Sequence, residues 1–168
     1  MHRRPLKGVD SAIVSKSFAA NDRRWVKAQQ TLVILLQFVA ACRAQGQSGI
    51  RHRMTYEELA ESLEWTGKMA AFNTRRPLGL VGLYCAVNGL PLLNLLVVNK
   101  ASSVPGLGAF IYSDSVSLIH EQNAALYFQW SRIRVPTPGA FRRIDDDYEN
   151  LMERVGVVPV HDRRSPGP

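Results

Sequence analysis

The sequence predicts an α+β fold with a winged helix-turn-helix core, a long helix before the core and a helical extension after it. Three observations support this fold. Residues 55–88 contain a helix start, a glycine-containing turn and further helical segments. The branched run 92–98 is too short for a helix and is typical of a buried strand. A loop with glycine and proline follows, and residues 109–112 then have the composition of a returning strand that completes a wing.

The helix before the core is expected over residues 23–44, with Asn21 or Asp22 as its cap. Its apolar residues recur at steps of three and four, which indicates one wide buried face: Trp25, Leu32, Leu35, Leu36, Val39 and Cys42. Residues 1–20 mix proline, glycine, serine and charge without a period, so we expect a flexible basic arm. A single domain is then predicted over residues 21–160.

The helix-turn-helix begins at Thr55, whose hydroxyl can cap a helix while Glu58, three residues later, completes a capping box. Residues 65–67 interrupt the periodicity and form the corner. A second helical segment is predicted over 68–74, and a third over 78–88, for which Pro77 can serve as the first residue. Residues 50–54 alternate apolar and basic side chains, which predicts a short strand with Arg51 and Arg53 on one face.

Beyond the wing loop, residues 99–108, an amphipathic helix is predicted to about residue 130, capped by Asp114 or Ser115. Residues 132–135 alternate as a short strand does, and 136–139 are expected to be a linker. A last short helix is predicted from Ile144, with three aspartates, 145–147, in its first turn. The tail 161–168 is charged and rich in proline, and we expect it to be disordered.

The composition predicts a soluble, cytoplasmic protein. The longest apolar run, 31–42, is about a third shorter than a bilayer span requires, and no signal peptide is recognisable after Arg3 and Arg4. Cys42 and Cys85 occupy apolar helix positions and lack metal-ligand spacing, which favours inert core thiols.

The net charge of +7 is concentrated in the first third of the chain. Residues 1–54 hold ten lysines or arginines and two aspartates, whereas residues 55–168 hold eleven basic and twelve acidic residues. Such asymmetry is typical of a protein with a polyanionic partner, because cations that neutralise phosphates release condensed counterions. A solubilising basic tail is the alternative interpretation.

These observations predict a protein that binds nucleic acid, with duplex DNA favoured. Polar or basic side chains of the helix-turn-helix and its flanks are the candidate contacts to phosphates and base edges: Arg51, Arg53, Tyr56, Lys68, Asn73, Thr74, Arg75, Arg76 and Lys100. Two alternatives stay open. Residues 68–76 are equally consistent with a solvated helix end, and Asn99 and Lys100 with a simple turn.

The stretch Thr55-Tyr56-Glu57-Glu58-Leu59-Ala60, followed by Leu90-Pro91-Leu92 and the strand to Val98, resembles the winged-helix C-terminal domain of DNA alkyltransferases and alkyltransferase-like proteins. The resemblance covers residues 54–108 and implies a DNA-facing winged helix. Where that family has its reactive Pro-Cys-His-Arg, this chain has Val97-Val98-Asn99-Lys100. The resemblance therefore implies DNA binding without alkyl transfer.

Binding is favoured over catalysis, and neither a cofactor nor a metal site is predicted. The four histidines and two cysteines lack the paired spacing of zinc sites, and no phosphate-binding glycine motif occurs. One alternative function is a metal-dependent nuclease or other nucleic-acid-processing enzyme that uses His120 and the aspartates 145–147. A second alternative is an adaptor that docks another protein through exposed apolar side chains such as Leu107.

Overall fold

The computed structural model describes residues 23–45, 53–106, 109–112 and 117–160, and these residues share one hydrophobic core. Its first layer is helix α1 (Arg23–Ala44), which confirms the predicted bounds. Leu32, Leu35 and Leu36 of this helix are buried, as the apolar periodicity predicts. The predicted arm, residues 1–20, and the predicted tail, 161–168, lie outside the described residues.

The segment predicted to be a helix-turn-helix begins with strand β1 (Met54–Thr55) and helix α2 (Tyr56–Ser62). The predicted capping box is confirmed. The Glu58 amide donates to Thr55 Oγ1 at 3.1 Å, and the Thr55 amide donates to Glu58 Oε2 at 2.7 Å. The backbone amides of Thr55 and Glu58 at the start of α2 therefore have local hydrogen-bond acceptors. The part of the predicted strand that precedes Arg53 lies outside the described residues.

The two following helices differ from the predicted bounds. Helix α3 (Ala70–Asn73) is shorter than predicted, and helix α4 (Arg75–Val87) begins two residues before Pro77, with Thr74 between the two helices. Pro77 lies in the first turn of α4, where its missing N–H group removes no helical hydrogen bond. Pro77 was expected to be the first residue of this helix, and it is the third.

The prediction of a continuous strand over 92–98 is wrong. Leu93–Leu96 forms a 3-10 helix, and only Val97–Val98 forms a strand, β2. A run of apolar residues does not distinguish the two conformations when every side chain is buried, because no alternation remains. All seven residues from 92 to 98 are buried, which explains the error.

The strands form two separate pairs. β1 pairs in parallel with β2, with Met54 opposite Val97 and Thr55 opposite Val98. Strand β3 (Phe110–Ile111) pairs antiparallel with strand β4 (Val158–Pro159). The predicted hairpin between 92–98 and 109–112 is not formed in the described part of the chain, because the C-terminal residues provide the partner of β3. The Val160 amide also donates to the Ala109 carbonyl at 2.9 Å.

The C-terminal half is a series of short helices. Helix α5 (Leu118–Tyr127) is capped by Ser117, while the predicted caps at 114 and 115 lie outside the described residues. A 3-10 helix, Trp130–Arg132, overlaps the start of the strand predicted over 132–135, and none of those residues is in a strand. Helix α6 (Pro138–Asp146) begins inside the predicted linker, and helix α7 (Tyr148–Val155) follows after Asp147.

Helix α6 begins early because Thr137 caps it, with the Ala140 amide donating to Thr137 Oγ1 at 3.2 Å, and because Pro138 occupies its first position. The predicted single helix from Ile144 is therefore two helices. Phe141 and Ile144 of α6 and Leu151 of α7 are buried, so both helices join the core.

Among the described helices, one passes a length and hydropathy test for a membrane span, over Arg24–Ala44, with a mean hydropathy of 1.3. This segment is most of α1, and 56% of the tested window is buried inside the protein. The core helix of a soluble protein has the same properties, and the position of α1 in the core agrees with a soluble protein.

Candidate nucleic-acid interface

The corner between α2 and α3 lies on the surface. Thr66 and Gly67 are exposed and Trp65 is partly exposed, while Leu63 is buried beneath them. The corner is shaped by Glu64, which has a left-handed backbone with φ of 60°. The Trp65 amide donates back to the Ala60 carbonyl at 2.9 Å, which ends α2 in a Schellman motif. Glycine usually occupies this left-handed position, because a side chain there costs about 1–2 kcal/mol.

The loop after β2 is held against α2 by Tyr56. Its hydroxyl is buried and accepts a hydrogen bond from the Gly106 amide at 2.7 Å. A Cβ atom at Gly106 would lie 3.1 Å from Tyr56 Oη and 3.4 Å from Asn99 Nδ2, so the loop packs tightly there. Burial raises the pKa of Tyr56, and the Gly106 hydrogen bond and the charge of Arg75 oppose this rise. Tyr56, predicted to contact nucleic acid, instead positions the loop 99–106.

Arg75 lies over an exposed aromatic ring. Its guanidinium carbon is 4.8 Å from the centroid of Phe72, the geometry of a cation–π contact. The Phe72 side chain is 53% exposed, and Met69, three residues earlier, is 55% exposed. They are two of the five large apolar side chains that are exposed in the described part of the chain, and they are the two that lie nearest to Arg75 in the sequence.

The remaining predicted contacts on this surface are solvent-exposed. Lys68 and Asn73 flank the Met69 and Phe72 positions, and Lys100 lies in the turn that opens the loop 99–106. Lys68 and Arg75 provide two cations, and Asn73 provides an amide, beside the two apolar side chains in the sequence. We call the set formed by Lys68, Met69, Phe72, Asn73 and Arg75 the α3 surface.

Arg76 is directed away from the α3 surface. Its Nη2 atom donates to Asp145 Oδ1 of α6 at 2.8 Å. The same carboxylate accepts Arg24 Nη1 at 3.3 Å and the indole Nε1 of Trp25 at 3.0 Å, both from α1. Asp145 therefore links three helices, and Arg76 has a structural contact that sequence patterns did not predict.

Two other residues that were predicted to contact nucleic acid, Thr74 and Arg53, are at least partly buried. Thr74 is buried, and its hydroxyl donates to the Ala71 carbonyl at 2.6 Å. Arg53 is partly buried, and desolvation lowers the pKa of its guanidinium, with Cys42 exerting the opposite effect. Arg51 lies outside the described residues.

Several basic residues of the first third have contacts within the fold. Lys27 Nζ donates to the Leu63 carbonyl at 3.1 Å and lies 5.5 Å from the centroid of Trp65. Arg43 Nη1 donates to the Phe128 carbonyl at 3.0 Å. Fewer cations are therefore available to a partner than the charge asymmetry of the sequence predicts, because Lys27 and Arg43 of α1 already contact other parts of the fold.

The residues of the alternative catalytic site have different surroundings. His120 is exposed on α5, whereas Asp145 is bound by arginines and by Trp25. Asp146 Oδ2 lies 3.8 Å from Arg142 Nε, and Asp147 Oδ1 accepts Asn150 Nδ2 at 2.8 Å. Within the described ranges, no three histidine, cysteine, aspartate or glutamate side chains form a group that could hold a metal ion.

Both cysteines are buried, which agrees with the predicted core thiols. Burial raises the pKa of Cys85 to about 12 and also raises the pKa of Cys42, with Arg53 opposing the second effect. A thiol with a raised pKa holds less of the nucleophilic thiolate at neutral pH.

Sequence reasoning missed Met69 and Phe72, which it assigned to a helix without distinguishing its faces. The available signal was their spacing of three residues, which places both on one side of a helix. No protein-family model, curated protein or solved structure matches this chain, so the candidate interface is characterised by its own geometry.

Proposed function

We propose that this protein is soluble and cytoplasmic, and that it binds nucleic acid, with duplex DNA as the favoured form, through the α3 surface and the loop 99–106. The observation that carries the proposal is the exposed Phe72 ring with the Arg75 guanidinium over it, at the corner of a helix-turn-helix segment. An aromatic ring next to a guanidinium suits a nucleic acid, which offers planar apolar bases beside anionic phosphates.

In this proposal Lys68, Arg75 and Lys100 contact phosphates. Phe72 and Met69 contact sugars or base edges, and the Asn73 amide is free to read a base edge. Basic residues of the arm, 1–20, add further phosphate contacts. Tyr56 acts indirectly, because its hydrogen bond to Gly106 sets the position of the loop that carries Lys100.

The proposal also retains the winged-helix interpretation and the likeness to alkyltransferase-like proteins, with the loop 99–106 in the place of the wing, although β3 pairs with β4 and not with β2. The confirmed capping box and the parallel β1–β2 pair support this, since they hold the first helix of the motif and the base of the loop together. Val98 and Asn99 stand where a reactive cysteine and histidine would be needed, so the proposed function is binding without alkyl transfer.

The test is fluorescence anisotropy with labelled random-sequence duplex and single-stranded oligonucleotides at about 50 and 200 mM salt. Binding is expected to weaken steeply with salt and to be tighter for the duplex. Arg75→Ala is expected to weaken binding and to reduce the slope of log affinity against log salt by about one, the value for one lost phosphate contact.

Arg142→Ala is the matched control. Arg142 is an exposed arginine of α6 whose guanidinium carbon lies 5.5 Å from the centroid of Trp25, so the variant also removes one charge from above an aromatic ring. It is expected to leave the salt slope unchanged. Binding that is undetectable, that does not depend on salt, or that falls equally in both variants contradicts the proposal. Arg76 is unsuitable for this comparison, because its substitution also removes the contact with Asp145.

A second candidate function, docking of another protein, is favoured by the apolar part of the same surface. Met69 and Phe72 are more than half exposed, and such groups serve as anchors in protein interfaces. Under this alternative, Phe72→Ala abolishes binding of the partner while Arg75→Ala retains it. Under the nucleic-acid proposal both variants weaken binding to DNA.

A further inference from the structure

A groove with an acidic rim lies beside the α3 surface, between α2 and the corner that follows it. Its volume is about 330 Å³. Ala60, Ala71 and Trp65 contribute its apolar walls, and Glu57, Glu61 and Glu64 stand around it. Lys68 is the basic residue among its lining side chains. The groove therefore combines an apolar surface with a negative rim.

The three carboxylates are exposed, and none forms an ion pair with the part of the chain that the structure describes. Glu57 and Glu61 are four residues apart on α2, a spacing at which like charges repel. Glu64 is held at the edge of the groove by its left-handed backbone. A cationic occupant would relieve this repulsion, whereas a phosphate backbone would increase it.

The first helix begins close to this groove. Lys27 donates to the Leu63 carbonyl and lies over the ring of Trp65, which lines the groove. Burial lowers the pKa of Lys27, and the charge of Glu64 opposes that effect. Arg23, where α1 begins, precedes Lys27 by four residues, about 6 Å along the helix axis. Helix α1 therefore begins near the rim.

We propose that residues 1–22 occupy this groove in the absence of nucleic acid, with their basic side chains against Glu57, Glu61 and Glu64. This segment holds four basic residues, Arg3, Arg4, Lys7 and Lys16, and two aspartates. Its charge is complementary to the rim, and Leu6, Ile13 and Val14 provide apolar side chains for the walls.

Residues 1–22 are favoured over a separate basic peptide as the occupant of the groove, because they are covalently attached to α1. Twenty-two residues span at most ~79 Å when extended, which is more than enough to cross a groove near the first residue of α1. A short flexible tether provides an effective concentration in the millimolar range. Individually weak surface ion pairs, about 0–1 kcal/mol each, are then sufficient to populate the docked state.

The docked arm has a consequence for the proposed function. The same cations cannot neutralise the glutamates and contact phosphates at once, so nucleic acid and the groove compete for the arm. Docking itself involves no nucleic acid, and the two proposals are therefore tested separately.

The test uses the full chain with Ser11→Cys as the attachment site for a nitroxide spin label. Cys42 and Cys85 are buried with raised pKa values, so the introduced thiol is expected to react selectively. The readout is paramagnetic broadening of backbone amide signals in a ¹⁵N-labelled sample without nucleic acid. We expect loss of the signals of Ala60, Glu64 and Gly67, and their recovery at about 1 M salt, where the Debye length is ~3 Å.

A triple variant, Glu57→Gln/Glu61→Gln/Glu64→Gln, is expected to restore these signals. The control variant, Glu149→Gln/Glu153→Gln, replaces two exposed carboxylates of α7 and is expected to leave the broadening intact. A second variant replaces the arm's four basic residues by glutamine, outside the described fold, and is also expected to restore the signals. Broadening that is absent, that survives both variants, or that arises equally between a spin-labelled molecule and a separate ¹⁵N-labelled molecule overturns the proposal.

Discussion

Replacing Asp145 by alanine is expected to destabilise the fold by about 2–3 kcal/mol, because it removes one acceptor that three side chains share. The carboxylate is 6% exposed, and it accepts hydrogen bonds from Arg24, Trp25 and Arg76. The two guanidinium groups are 51% and 63% exposed, so water can replace much of what they lose and each pair is worth about 0.2–1 kcal/mol. The partly buried Trp25 indole is left without its acceptor, which costs about 1–3 kcal/mol.

Urea unfolding monitored by circular dichroism measures this change. With a slope of about 2 kcal/mol per molar urea, the midpoint is expected to fall by ~1 M for Asp145→Ala. Asp145→Asn keeps a side-chain oxygen for Trp25 and loses only the charge, so its midpoint is expected to lie between those of the wild type and the alanine variant.

Asp146→Ala is the matched control. This neighbouring carboxylate is 66% exposed and lies 3.8 Å from Arg142 in a helix-surface pair, which predicts a change below about 0.5 kcal/mol. If Asp145→Ala and Asp146→Ala shift the midpoint equally, the shared acceptor does not link the three helices energetically, and the assignment of Arg76 to structure is wrong.

Three further predictions concern the core. Gly82→Ala is expected to cost about 1–3 kcal/mol in thermal unfolding, because its Cβ atom would lie 2.7 Å from Cγ of the buried Asn94. Gly79→Ala in the same helix meets nothing closer than 3.5 Å and is expected to be neutral or stabilising, so equal effects contradict this reasoning. Tyr56→Phe is expected to lower the free energy of unfolding by about 1–2 kcal/mol and to increase hydrogen exchange at the Gly106 amide, which donates to the Tyr56 hydroxyl. Unchanged exchange at Gly106 contradicts the role of Tyr56 in holding the loop 99–106. The contribution of Cys85 to stability is expected to be constant below pH 9 and to fall between pH 9 and about 12, by at most about 1.4 kcal/mol per pH unit, since its thiol has a pKa of about 12 when folded and near 9 when unfolded. Urea midpoints at pH 8 and 11 measure this, and Cys85→Ala should reduce the difference.

The candidate site was partly predictable. Lys68, Asn73 and Lys100 are exposed, in agreement with polar residues at a helix end and a turn. The surroundings of Arg75 and Arg76 were not predictable, although they are adjacent and chemically identical. One lies over Phe72 and the other binds Asp145, sixty-nine residues away.

The sequence by itself determined the features whose causes are local. The apolar spacing of residues 23–44 and the pair Thr55 and Glu58 specify two helix starts, because periodicity and capping act within one or two turns. The tertiary structure alone decided that β3 pairs with β4 and that Leu93–Leu96 is a 3-10 helix. Strand partners and the conformation of a fully buried run depend on residues distant in the sequence, and short-range patterns carry no information about which of them will be adjacent.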